Sequence, residues 1–178
     1  MHSERDILES LEREIRLPRA SSFLSALTAE VSALLKRDPA TRLAWRSVPL
    51  DVYERLPDGI ASSWIFVLRA GCSSGAERHP NSIQRVMSYQ GSADMQTWDG
   101  QRWASNALRS EEGQPLENRW LSIPTNVWHR PVMEDVDWAV VSFHTASETE
   151  LIEELPLDDE HPDHGSRAAR VYAGRQAR

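Results

Sequence analysis

The sequence predicts an all-β sandwich or barrel preceded by two α-helices. Three observations carry that prediction. From residue 43 onward, short runs rich in β-branched and aromatic residues alternate with turn signals. The first forty residues instead repeat apolar side chains at helical spacing. All seven tryptophans fall between Trp45 and Trp138, which puts the body of the protein there.

The helices come first. Ile7, Leu11 and Ile15 recur every four positions with Glu and Arg between them, and Pro18 ends or bends that segment. A second pattern follows in Leu24, Leu27, Val31, Leu34 and Leu35, with Ser21 or Ser22 as its cap and Pro39 after its end. Residues 1–42 thus read as a helical cap packed on a sheet, with a partner-binding helix pair as the alternative. Residues 43–155 carry the strands. Ser63–Arg69 reads as a buried strand, and Gln84–Gln90 as an alternating one. Asp94–Trp98, Asp99-Gly100 and Gln101–Ala104 read as a hairpin. Trp120–Ile123, Val127–Val132 and Trp138–His144 complete the series. Residues 156–178 form a polar tail, acidic then basic, expected to be loosely attached. His161 and His164 within it are expected to be solvated.

Composition narrows the function classes. The chain has 178 residues, 40% hydrophobic and 26% charged, enough for a core. Twenty Lys and Arg against 27 Asp and Glu give a net charge of −7, so no overall basic field exists for nucleic acid or an anionic membrane. One cysteine, Cys72, excludes an intramolecular disulfide and a Cys-rich zinc module. No apolar run approaches the ~20 residues of a membrane span. The N-terminus has no apolar stretch of signal-peptide type. A cytoplasmic, soluble protein is expected.

Chemistry concentrates in residues 71–91. Glu77 and His79 are two apart, so on a strand they share a face. Gln84 opens the next strand after the turn signal Pro80-Asn81. These three groups would converge across a hairpin. His129 lies far downstream, where a barrel can return it beside them. Two imidazoles, a carboxylate and an amide oxygen make a pocket for one divalent metal such as Fe, Zn, Mn or Ni. The competing reading has Glu77 paired with Arg78 or Arg85, and Gln84 as an ordinary inward polar group. By alternation Val86 and Ser88 face inward with Gln84, while Arg85, Met87 and Tyr89 face outward. Trp64 and Phe66 are candidate pocket walls. Arg69 and Tyr53 are either anion-binding groups or, respectively, a salt bridge and a core phenol. His144, at the end of its strand, is a candidate acid or base.

The spacing resembles the cupin superfamily. Gly71, five residues, Glu77-Arg78-His79, four residues, Gln84, six residues and Gly91 match its first motif in spacing. Pro124-Thr125-Asn126-Val127-Trp128-His129 matches its second, with Asn126 where glycine is usual. Asn tolerates the left-handed backbone that glycine would supply. Glu77 replaces the usual first histidine and Gln84 the usual glutamate. The two exchanges offset in charge, since either set of four ligands totals −1. The resemblance covers residues 60–145 and implies a β-barrel of jelly-roll type.

It also implies a small-molecule substrate, and a homodimer paired through exposed sheet edges. The leading expectation is a metal-dependent enzyme of dioxygenase type, with iron favoured, in which Glu77 doubles as a base. An isomerase or lyase, or a non-enzymatic sensor or storage module, is the alternative.

Overall fold

A computed structural model describes residues 3–169. Helix α1 (Glu4–Arg16) opens with a reciprocal cap: Ser3 Oγ accepts from the Asp6 amide at 3.2 Å and Asp6 Oδ2 from the Ser3 amide at 2.9 Å. Helix α2 (Pro18–Arg37) begins after a single intervening residue, Leu17, with Pro18 itself in its first turn. Pro18 therefore starts the second helix as well as stopping the first, and no serine caps it.

Eleven strands follow: β1 (Leu43–Ser47), β2 (Ser62–Leu68), β3 (Gln84–Gln90), β4 (Ser92–Trp98), β5 (Trp103–Ala104), β6 (Ala107–Arg109), β7 (Trp120–Ile123), β8 (His129–Met133), β9 (Trp138–His144), β10 (Glu153–Pro156) and β11 (Ser166–Ala169). Nine of them form a five-stranded antiparallel sheet, β1-β2-β9-β3-β7, and a facing sheet in which β4 pairs with β5, β6 and β8; β10 and β11 form a separate two-stranded sheet. This is the predicted barrel-like sandwich. The Asp99-Gly100 turn and its short hairpin are present, with β5 reduced to two residues.

Each central strand is covered on both faces, which explains its continuous apolar run. On β2, Ile65 and Val67 pack outward against Leu24, Val31 and Leu35 of α2. Trp64, Phe66 and Leu68 pack inward against Met95, Leu108 and Met133 of the facing sheet. The β3 alternation holds too: Val86 is in the inner cluster, Met87 and Tyr89 in the outer one. The helices therefore cover the outside of the large sheet.

Acidic residues of α1 fix that cover. Glu4 makes a two-pronged pair with Arg85 at 2.7 and 2.9 Å. Glu12 accepts from Trp120 Nε1 at 2.7 Å and also holds Arg119. Glu14 accepts from the amides of Glu54 and Arg55 at 2.8 and 2.9 Å. Arg69 is neither a substrate clamp nor a salt bridge. Its guanidinium donates to the carbonyls of Leu35, Asp38 and Thr41 and closes the C-terminus of α2. Tyr53 is a buried core phenol bonded to Ser63 at 3.0 Å.

The described part of the tail is not loose. β10 and β11 pair as a hairpin, and Arg78 bridges to Glu154 through backbone and side chain. The loop between them accepts from Trp98 Nε1 at Asp163 (2.6 Å) and from Trp103 Nε1 at the Asp159 carbonyl (3.2 Å). A polar composition hid this attachment because the bonds are made by indole N–H groups and main chain. His161 and His164 are exposed and stack on each other at 5.1 Å. Residues 170–178 of the predicted tail lie outside the described residues.

No helix among the described residues is long and apolar enough to cross a membrane.

Candidate metal centre

Three backbone devices assemble the site. Asn126 takes a left-handed conformation (φ 65°) and donates its amide to the His79 carbonyl at 3.1 Å. That turn delivers His129 to the start of β8. Glu77 and His129 then exchange both main-chain hydrogen bonds, each 2.9 Å. At the far end of the motif, Gly91 (φ 81°) passes so close to the chain that a Cβ would sit 2.8 Å from the Asp137 carbonyl oxygen.

Glu77 and His79 are thus not joined to Gln84 by a simple hairpin, as the sequence suggested. They bridge to the other sheet, while Gln84 stands on β3, opposite His144 of β9 in register, and lines one cavity with Glu77. Glu77, His79 and His129 converge between the two sheets.

His79 and His129 are 2% and 1% exposed. Each ring is oriented by a backbone carbonyl: His79 Nδ1 lies 3.2 Å from Ile152 O, and His129 Nδ1 lies 3.2 Å from Val127 O. With Nδ1–H donating there, both Nε2 lone pairs turn inward, the second-sphere arrangement that prepares a metal ligand. Glu77 Oε1 lies 3.8 Å from His79 Nε2 and 3.3 Å from His129 Nε2. One donor atom from each of the three residues lies within 4.8 Å of the other two. Neither Nε2 has a hydrogen-bond partner, and Gln84 Oε1, also buried, has none. Two buried, unpartnered imidazole nitrogens beside a carboxylate call for a cation. The residues present fit a divalent metal.

The electrostatics agree. Burial pushes the His79 imidazole down to about 4, against the opposing pull of Glu77, so the ring is neutral and free to ligate. Burial alone would raise the Glu77 carboxyl. The neighbouring imidazoles of His129 and His79 outweigh it, and Glu77 stays below its ordinary range. Its rivals are elsewhere: Arg78 pairs with Glu154 at 2.6 Å and Arg85 with Glu4.

His144 sits behind this cluster. Its ring packs edge-on against His79 at 5.0 Å and Trp64 at 4.9 Å. Nε2 meets Ser142 Oγ at 2.9 Å and Nδ1 faces Ser82 Oγ at 3.4 Å. Burial, then the nearby histidines, drive it well below its ordinary range. It does not line the adjoining cavity. This departs from the expectation of an acid or base facing the pocket. Ser142, which sequence reasoning missed, holds both His144 and the Gln84 amide (3.2 Å). Nothing in a lone strand serine signals such a role. Cys72 is a partly buried thiol against the inner cluster.

A cavity of about 40 Å³ opens beside Glu77 and Gln84, between Phe66, Met95 and Val140. A roomier cleft, about 550 Å³, lies instead between α1 and residues 55–58. It has none of the converging donors, and its Glu14 is already bonded to main chain.

No family model matches the chain, and no curated protein does. Solved structures do. Pumpkin seed globulin aligns with a TM-score of 0.50 and 18% identity over 65% of this chain and 28% of its own. The coconut allergen cocosin aligns at 0.50 with 13% identity, over 65% and 29%. Both are cupin-fold proteins. This chain has the cupin fold. Oxalate oxidase in complex with the substrate analogue glycolate aligns more loosely, at 0.47 with 13% identity over 61% and 54%. The chain spans between about a quarter and about half of the length of these structures. Within the cupin fold, a His/Glu cluster compatible with a metal site lies between the two sheets.

Proposed function

We propose that the chain is a metal-dependent cupin enzyme of dioxygenase type, acting on a small molecule. One divalent ion would be held by Glu77, His79, His129 and Gln84. The observation that carries this is the convergence of two orphaned imidazole Nε2 atoms and one carboxylate within 4.8 Å. Two histidines and one carboxylate with positions left open is the ligand type of non-haem iron oxygenases, which favours iron over zinc, manganese or nickel. Bound there, iron would supply O₂ activation.

The chain's own residues do the rest. The carbonyls of Ile152 and Val127 hold the two rings in their ligating tautomer. Glu77, 26% exposed in its side chain, supplies the negative charge at the cavity edge. Ser142 aims the Gln84 amide oxygen by accepting from its nitrogen. His144 is a positioning residue that packs against His79. Phe66, Met95 and Val140 exclude bulk water.

The test is elemental metal content of the untagged protein beside a His79→Ala/His129→Ala variant, then O₂ uptake after anaerobic Fe(II) loading. About one metal per chain, none in the folded variant, and substrate-dependent O₂ consumption are expected. Equal metal in both proteins sinks the site. A lone Fe(II) site that never consumes O₂ turns the reading to an isomerase, a lyase or a binding module.

A further inference from the structure

We infer, on the basis of that metal site, that its ligand is a small molecule with one metal-binding head and an uncharged apolar body, not a dicarboxylate. The polar side chains on the cavity are Glu77 and Gln84 and, at its exposed rim, Ser74. The rest of its lining is apolar: Phe66, Leu68, Val86, Met95, Pro131 and Val140, with the partly exposed Leu43. Among the described residues no Lys or Arg lines it.

The neighbouring guanidiniums are committed elsewhere. Arg78 stacks on Trp128 at 4.4 Å and pairs with Glu154. Arg130 stacks on Trp103 at 4.3 Å, donates to Gln96 at 2.9 Å and pairs with Glu160 at 2.8 Å. A divalent ion on a ligand set of charge −1 leaves one positive charge, which a single anionic or polar head satisfies. A second negative charge further along the ligand would be stripped of water against Phe66 and Met95 with no partner, which strongly disfavours its binding. The cavity's 40 Å³ is room for about three water-sized groups. Short aliphatic bodies of two to four carbons match it.

The experiment uses the full chain loaded with Co²⁺, whose visible absorption reports ligands on the metal. Acetohydroxamate, propionohydroxamate, butyrohydroxamate and succinic monohydroxamate share one head and differ in the body. Dissociation constants should fall about fourfold per added methylene, the increment for burying a CH₂. Succinic monohydroxamate, whose far end is a carboxylate, should bind at least tenfold more weakly than butyrohydroxamate. Leu43→Lys, at the partly exposed rim, should narrow that gap by placing an ammonium at the mouth. If that variant fails to fold, the parent series still decides. A flat series, or tighter binding of the succinic compound to the parent, overturns the inference while leaving the metal site standing. Failure of Co²⁺ to bind overturns both.

Discussion

Arg69→Met should detach the helical cover from the sandwich. Arg69 follows β2 and sends Nε to the Thr41 carbonyl at 2.8 Å and Nη2 to those of Leu35 at 2.5 Å and Asp38 at 3.0 Å. The Leu35 and Asp38 oxygens are orphan acceptors at the end of α2, where the helix dipole also favours a cation, and the Thr41 oxygen belongs to the loop that follows. Methionine keeps most of the apolar stem and removes every donor. Two partly buried charge-assisted bonds at the low end of their range contribute about 1.5 kcal/mol each, and the exposed third adds little. The sum is about 3 kcal/mol, equivalent to a fall in Tm of about 6–12 °C for a chain of this size. Urea unfolding followed by tryptophan fluorescence measures it, with an unchanged m-value showing that the same surface is exposed. Arg69→Lys should recover about a third, because an ammonium cannot reach three carbonyls at once. A loss under ~0.5 kcal/mol for Met, or complete rescue by Lys, would mean that α2 is held by apolar packing alone and that the guanidinium fork is incidental.

Ser142→Ala should weaken metal affinity about 10- to 100-fold while the fold persists, because Gln84 and His144 lose their common partner; a competition assay with a chelator of known affinity reads this, and unchanged affinity refutes it. Asn126→Gly should be near neutral and Asn126→Val should cost about 1–2 kcal/mol, since φ is 65° there; equal Tm values for the two variants would contradict the turn argument. The metal-free protein should lose stability on acidification. His79 titrates near 4 when folded against 6.5 unfolded, so the unfolded chain binds the extra proton between those values. Stability is therefore complete above pH 6.5 and falls by about 3 kcal/mol towards pH 4, with His144 adding in the same direction. Urea midpoints in chelator at pH 7.5 and 5 test this: the parent should drop, His79→Gln should drop less, and a parent midpoint that does not move argues against buried neutral imidazoles.

How much of this was written in the sequence differs by element. β3, β7 and β9 were legible to the residue, β9 from an apolar run and β3 from its alternation, each bounded by turn signals. From the motif spacing, Glu77, His79 and His129 were expected together, and their donor atoms lie within 4.8 Å of one another; Gln84 lines one cavity with Glu77. Three things were not. Pro18 as the first residue of α2 was ambiguous, because proline both stops one helix and opens the next. The hairpin β10–β11 was invisible because its strands are short and exposed and its anchors are indole and backbone groups. The partners of Arg69, Glu12 and Glu14 are main-chain or distant groups with no sequence signature, so the acidic face of α1 looked solvated although it is a joint.

That hidden hairpin bears directly on the site. The His79 ring is aimed by the Ile152 carbonyl, which immediately precedes β10, and the backbone pair Arg78–Glu154 locks that carbonyl one residue away. His129 is aimed from the opposite side by its own turn, through Val127. The two ligating tautomers thus depend on different parts of the chain: one on the Asn126 turn, the other on the packing of residues 153–169. Breaking that backbone pair with Glu154→Pro, which removes the amide that donates to the Arg78 carbonyl, should then disturb His79 and leave His129 in place. Proton NMR of the buried imidazole N–H signals separates the outcomes. Exchange broadening of the His79 Nδ1–H signal alone is expected, with weaker metal binding following it. Equal broadening of both histidines would show that the cluster is one unit held by the metal ligands themselves, and that the hairpin only covers it.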